Sequence, residues 1–232
     1  PFVFDRSFNI YGGNIASTMA GEFAFSIGLS LAVLALALTV RAFDTGRGRG
    51  WAAILYALAG LCHIFPAVFA AVAALIYFVL RVGRTQLVTL VRVFPVAGLL
   101  GAFWALPFFW KRTYLNDMGW EKLTLFKSYL VTRNTLNPVP PLIDSPPLEV
   151  VLTLAVFGFL LCLWRRNRLG VMLGIAALVT ALLFVHLPQG RLWNARILPF
   201  YYLSLYFLCA LAVYESVRLL VEKTWAHWYA VL

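Results

Sequence analysis

WAAILYALAGLCHIFPAVFAAVAALIYFVL, residues 51–80, decides how this chain is folded. It is one long apolar run with arginines at both ends: Arg47 and Arg49 before it, Arg81, Arg84 and Arg92 after it. As a single straight helix it would be about 45 Å long at ~1.5 Å per residue, against about 30 Å of bilayer hydrocarbon. It would also put its two basic flanks on opposite sides of a membrane, against the bias of Lys and Arg toward one side. Doubling the run back on itself removes both conflicts. WAAILYALAGLCH then goes in and PAVFAAVAALIYFVL returns, with the break expected near Gly60–Pro66. Pro66 lacks an amide donor and disfavours helix in the residue before it.

The rest of the chain fits a membrane setting. Of its 232 residues, 62% are hydrophobic and 12% charged, where a soluble domain carries about a quarter charged residues. Aromatics reach 16%, with eight tryptophans, as suits rings that anchor helices at lipid headgroups. Further apolar runs cover 23–40, 93–110, 149–164, 170–187 and 198–219. They are continuous rather than alternating, which predicts helices, and helices satisfy their own backbone in lipid. The expected fold is all-α: a polytopic transmembrane helical bundle of five full spans plus the re-entrant hairpin, forming a single transmembrane domain over 1–232. The chain begins Pro-Phe-Val and ends in TWAHWYAVL, which reads as a fragment of a larger protein. It carries no internal repeat.

Placing Arg41, Arg47, Arg49, Arg165, Arg166, Arg168, Arg218 and Lys223 on the cytoplasmic side leaves 1–22, 111–148 and 188–197 outside. Eleven Lys/Arg then face inward against three Asp/Glu, and eight face outward against six. The net charge of +10 is thereby explained by topology, and no nucleic-acid partner is expected because basic residues are not interleaved with stacking aromatics on a polar background. Cys62, Cys162 and Cys209 sit inside apolar runs without metal-ligand or disulfide spacing, as small packing residues. Within 111–148, YLNDMGWEKLTLFKSYL (114–130) places Leu115, Met118, Leu123, Phe126 and Leu130 roughly on one face. This predicts an amphipathic helix, either on the outer membrane surface or packed on the outer ends of the bundle. The proline-rich NPVPPLIDSPP that follows reads as an extended connector.

Three outward or broken segments could carry chemistry. In FDRSFNIYGGNIASTMAGEF (4–23), Gly12-Gly13 permits a turn and Ser17 or Thr18 can cap a helix with Glu22 at its mouth. A carboxylate there is favoured by the helix dipole, and it can also accept sugar hydroxyls. In PQGRLWNARILPFYY (188–202), Arg191 and Arg196 frame Trp193 and Asn194. Arginine offers phosphate a planar fork of donors, while Arg-Trp-Tyr clusters also serve as interfacial anchors. At the break, His63 could line a cavity as a ligand or proton carrier, or satisfy a freed carbonyl. Lys111, Arg112 and Arg133 add outward positive charge, and Glu215 can pair with Arg218 at i+3. No Ser-His-Asp order, HExxH or nucleotide-binding loop is present, and GRGRG (46–50) lacks the context of a phosphate loop.

GGNIASTMAGEFAFSIGLSLAVL, LCHIFPAVFA and GRLWNARILPFYYL together resemble bacterial membrane proteins catalogued as "6-pyruvoyl-tetrahydropterin synthase-related", over most of the chain. Nothing in them resembles the soluble pterin enzyme. The membrane family is similar to GT-C glycosyltransferases, which use lipid-phosphate-linked sugars on the outer membrane face. The resemblance implies a GT-C-like bundle in a bacterial cell membrane that moves a sugar from a polyprenyl-phosphate donor to a glycan or glycolipid acceptor of the cell envelope. It would set Glu22 beside a sugar-binding cavity with His63 at its floor, and Arg191 and Arg196 on the donor phosphate. GT-C enzymes usually keep their catalytic Asp or Glu in the first outward loop, after the first span. This chain would start downstream of that loop, leaving the catalytic residue unknown, with Asp5 as a substitute candidate. No cofactor is implied, and a divalent metal is not indicated. A lipid-linked sugar transporter or flippase, and a non-catalytic scaffold of an envelope-synthesis complex, are the alternatives.

Overall fold

The apolar run at 51–80 folds as two helices broken at one residue. In the computed structural model, which describes residues 11–114, 121–131, 148–190 and 192–231 (backbone alone over 223–231), α1 is Phe23–Thr45, α2 Arg49–Cys62 and α3 Ile64–Leu80. His63 between them is extended, at φ −162° and ψ 126°. Pro66 falls in the first turn of α3, where its missing N–H costs no intrahelical bond. The direction of each arm is fixed by its contacts with α1. Gly28, near the start of α1, lies against His63. At the other end Phe43 stacks on Tyr77 and Asp44 pairs with Arg81. So α2 rises along α1 and α3 returns, which puts both basic flanks at one end of the bundle, labelled the inner end after the expected topology, and His63 at the other, labelled the outer end.

Gly46, left-handed at φ 73°, ends α1, and its N–H closes on the Ala42 carbonyl. Helix α4, Arg84–Trp110, begins nine residues before the apolar run because Gln86 and Thr89 have work at the inner end. Gln86 donates to the Phe43 carbonyl at 2.7 Å, and the Arg49 Nε donates to Thr89 at 2.9 Å. Beyond Ala97 no residue of α4 is buried, and Leu99, Phe103, Leu106 and Phe109 are exposed. That stretch leaves its apolar side chains uncovered by the described chain, consistent with a helix that spans a membrane.

The second half comprises α5 (Phe126–Leu130), α6 (Leu148–Trp164), α7 (Arg168–His186) and α8 (Leu198–Val231). Helices α6, α7 and α8 pack on one another, and α3 against α7 joins the halves. Small residues let the backbones approach, the main route to tight packing where lipid is as apolar as leucine. A Cβ on Gly158 of α6 would strike the Leu208 carbonyl oxygen of α8, and one on Gly170 would strike Cys162. In the first half, Ala32, Ala35, Ala52, Ala53, Ala59 and Ala70 fill the same role.

Several expectations need correction. Of the described helices, four are long and apolar enough to cross a membrane: Ile15–Thr45, Arg84–Trp110, Arg168–His186 and Asn194–Glu222. The run expected as a span at 149–164 is a 17-residue apolar helix, Leu148–Trp164, that starts where the described residues resume and lies at the lower end of the ~17–25 residues that cross a bilayer. The amphipathic helix over 114–130 does not form as one piece. Residues 121–125 are not helical, and only Arg112–Tyr114 and Phe126–Leu130 coil among the described residues. Leu123, Phe126 and Leu130 pack on the core instead, held by the Tyr201 and Tyr202 hydroxyls, which donate to the Leu130 and Tyr129 carbonyls.

Glu215 does not pair with Arg218. It is 1% exposed, accepts from the Asn167 amide at 2.7 Å, and lies 3.5 Å from the Arg165 Nε. Arg218 reaches Glu222 one turn on, at 2.9 Å, and Glu222 also accepts from Arg165. A buried carboxylate draws the nearest fixed donors, and those sit in the α6–α7 turn. The three cysteines are free thiols.

Candidate functional site at the outer end

Asn14 caps the chain's entry into the bundle: its side-chain oxygen accepts the Ser17 N–H at 2.7 Å. Ser17 and Thr18, the expected caps, are therefore donors to Asn14 instead, with the Thr18 hydroxyl on the Asn14 carbonyl at 2.8 Å. One wide turn, Thr18–Glu22, follows and is broken by Gly21 at φ 110°, so Glu22 stands at the N-cap position of α1, just past a kink, with its side chain free of any capping bond. A positive φ of this kind suits glycine alone at low cost.

The kink delivers Glu22 to Arg196. The Arg196 Nη2 donates to the Glu22 Oε1 at 2.7 Å, with the side chains 13% and 24% exposed. This pair joins residues 174 positions apart and ties the two halves at their outer ends. Phe200 reinforces it, set 5.7 Å from Phe25 and stacked on Phe69 at 4.6 Å. His63 completes the group. Its ring meets Phe25 edge-on at 4.9 Å, and it lies near enough to Arg196 and Glu22 to feel both charges.

Arg196 stands on a short 3₁₀ turn, Asn194–Ile197, whose N-cap is Trp193. The Arg196 N–H closes this turn on the Trp193 carbonyl at 3.1 Å. Two donors there are buried without a hydrogen-bond partner among the described residues: the Arg196 Nη1 and the Trp193 Nε1. Buried donors left unmet cost about 1–3 kcal/mol each, and native chains seldom keep two together without a use for them. Tyr11 packs edge-on to Trp193 at 5.1 Å, and burial, with Tyr129 next, pushes its hydroxyl well above the usual phenol range. It stays a neutral donor at any physiological pH.

Asn194 stands apart from this group. Its oxygen accepts the Leu123 N–H, and its amide donates to the Leu123 and Phe184 carbonyls, each at 3.0 Å. Its polar atoms are committed to pinning segment 121–125 over the end of α7. Arg191 and Asp5, like Arg133, lie outside the described residues. Lys111 and Arg112 sit over the Tyr114 and Phe109 rings at the outer tip of α4. Among the described residues no three His, Cys, Asp or Glu converge as metal ligands.

The sequence pointed to Glu22, His63 and Arg196 but not to Asn14, Phe25, Gly28 or Phe200, which hold them. Asn14 carries a legible signal, an Asx residue in front of an apolar run. The other three are ordinary span residues until their neighbours are known. No protein-family model, no curated protein and no solved structure matches the chain.

Proposed function

We propose that the outer end binds the phosphate of a polyprenyl-phosphate-linked sugar, and that the protein is a GT-C-like membrane glycosyltransferase building an envelope glycan or glycolipid. One observation carries this reading: Arg196 is held by Glu22 through one nitrogen and keeps the other buried and unmet, on the same short turn whose N-cap, Trp193, also keeps its indole N–H buried and unmet. A guanidinium so oriented can give phosphate a charge-assisted bond, and the indole adds a second donor. Donors fixed before the reaction stabilise charge that develops on a leaving phosphate. Glu22, already engaged by Arg196, is a positioning residue here rather than the base that would deprotonate an acceptor hydroxyl. No described residue is assigned that role.

A lipid-linked sugar transporter is the second reading, favoured by a hairpin that breaks at His63 beside the charged pair, since interrupted helices line transport sites. Purified protein in nanodiscs separates them. The enzyme predicts binding of polyprenyl-phosphate sugar and its transfer, with Arg196→Ala losing both. Binding with movement of the lipid across the bilayer and no transfer supports the transporter. Wild-type binding undiminished in Arg196→Ala removes the site.

A further inference from the structure

His63 does two structural jobs at once. Its backbone N–H ends α2 on the Ala59 carbonyl at 2.8 Å, and its Nδ1 accepts the Phe65 N–H at 3.4 Å, starting α3. The sequence admits a histidine that satisfies a freed carbonyl; the structure has it satisfying a freed N–H. Asn, Asp or Ser would cap a helix better. What histidine adds is a second nitrogen, fixed by the first. An Nδ1 that accepts a hydrogen bond holds no proton, so the neutral ring must carry its hydrogen on Nε2. The ring is also held in place, between Phe25 and Phe65 at 4.9 and 5.3 Å. Gly28 lets α1 approach so closely that a Cβ there would sit 3.3 Å from the His63 Cβ. No described residue takes a hydrogen bond from Nε2.

We propose that His63 is a ligand-binding donor, presenting its Nε2–H to the same phosphate that Arg196 and Trp193 engage. This assigns it neither proton transfer nor a capping role alone. The inference rests on the phosphate reading of the outer site, but the tautomer does not.

Two measurements test it on the whole chain in phosphatidylcholine nanodiscs. With ¹⁵N-labelled histidine, the His63 resonance, identified among the three histidines by its loss in His63→Asn, is expected to report the Nε2–H tautomer. Its proton is expected to move downfield on adding polyprenyl monophosphate. An Nδ1–H tautomer overturns the proposal. Binding is then compared in two variants that both keep a good cap. His63→Asn retains a donor and is expected to bind within about threefold of wild type, while His63→Ser, an uncharged cap whose hydroxyl is too short to reach past the helix end, loses about tenfold or more, the scale of one hydrogen bond to a charged group. A cap alone predicts equal binding by the two, and that result overturns the donor role while leaving the Arg196 site intact. Inorganic phosphate, titrated in parallel, tells whether the phosphate suffices or the lipid chain is needed. Wild-type protein that binds neither overturns both the donor role and the site.

Discussion

Each end of the bundle holds a carboxylate and an arginine from distant parts of the chain, yet the two ends are built differently. At the inner end Glu215 is sealed at 1% exposure, with the Asn167 amide on one oxygen and the Arg165 Nε 3.5 Å from the other, which takes no hydrogen bond but faces that charge, and Arg165 and Arg218 share Glu222. Gln86 and Arg49 find acceptors across helices. At the outer end Glu22 and Arg196 are more open, and while the Arg196 Nη2 donates to Glu22, the Arg196 Nη1 and the Trp193 Nε1 find no acceptor among the described residues. A charge network that satisfies its donors holds helices together. One that leaves donors buried and unmet is prepared for something else. On this contrast the inner end serves as a clamp, and the outer end is where the proposed site lies.

The largest effect that would sharpen this contrast is at Glu215. Glu215→Ala leaves the Asn167 amide unpaired and the buried cleft empty, and is expected to cost about 3–5 kcal/mol, the scale for breaking a buried charged contact. Reversible unfolding in mixed micelles measures it, and a loss below about 1 kcal/mol would dissolve the clamp. Gly158→Ala comes next. Forcing α6 from the Leu208 carbonyl is expected to cost about 1–3 kcal/mol in the same assay, whatever happens at the outer site.

Asn194→Ala is expected to cost about 1–3 kcal/mol for three lost hydrogen bonds. Its signature is local: hydrogen exchange at the Leu123 amide should rise while inner-end amides keep their protection. Equal deprotection at both ends would mean that Asn194 supports the whole bundle rather than its outer cover. The smallest effect on folding is expected where the effect on function is greatest. Replacing the outer pair together, Glu22→Leu with Arg196→Met, should leave stability within about 1 kcal/mol of wild type, because an ion pair roughly balances its desolvation against an apolar substitute. Binding of polyprenyl monophosphate should disappear. A large stability loss in that double variant would make the outer pair a second clamp.

How much of this was written in the sequence varies by residue. The hairpin was legible because Arg47, Arg49, Arg81 and Arg84 cannot be placed on one side unless 51–80 doubles back, and Pro66 narrowed the break to a few residues. That His63 itself is the break was not legible, since its role depends on the Phe65 N–H next to it in space. Glu22 and Arg196 were visible as ionisable residues beside apolar runs, but their direct pairing follows from Gly21 kinking the chain toward Phe200. Asn194 reads from the sequence as a ligand residue, and its three hydrogen bonds, two to Leu123 and one to Phe184, are visible only in the fold. The Leu123, Phe126 and Leu130 face was read correctly as apolar, yet helical periodicity alone could not tell a continuous helix from an irregular segment tied down by Tyr201 and Tyr202. Glu215 misled because a local i+3 partner was at hand while its real partners lay 48 and 50 positions back in the chain.

The reversal at His63 sets the entry to α1 and the Trp193–Arg196 turn at one end of the bundle. Single cysteines at Ile15, Gln189 and Arg47, in a background without Cys62, Cys162 and Cys209, test it with a membrane-impermeant maleimide on intact and opened cells. Ile15 and Gln189 should label from the same side and Arg47 from the other; labelling of Ile15 and Gln189 from opposite sides would contradict it.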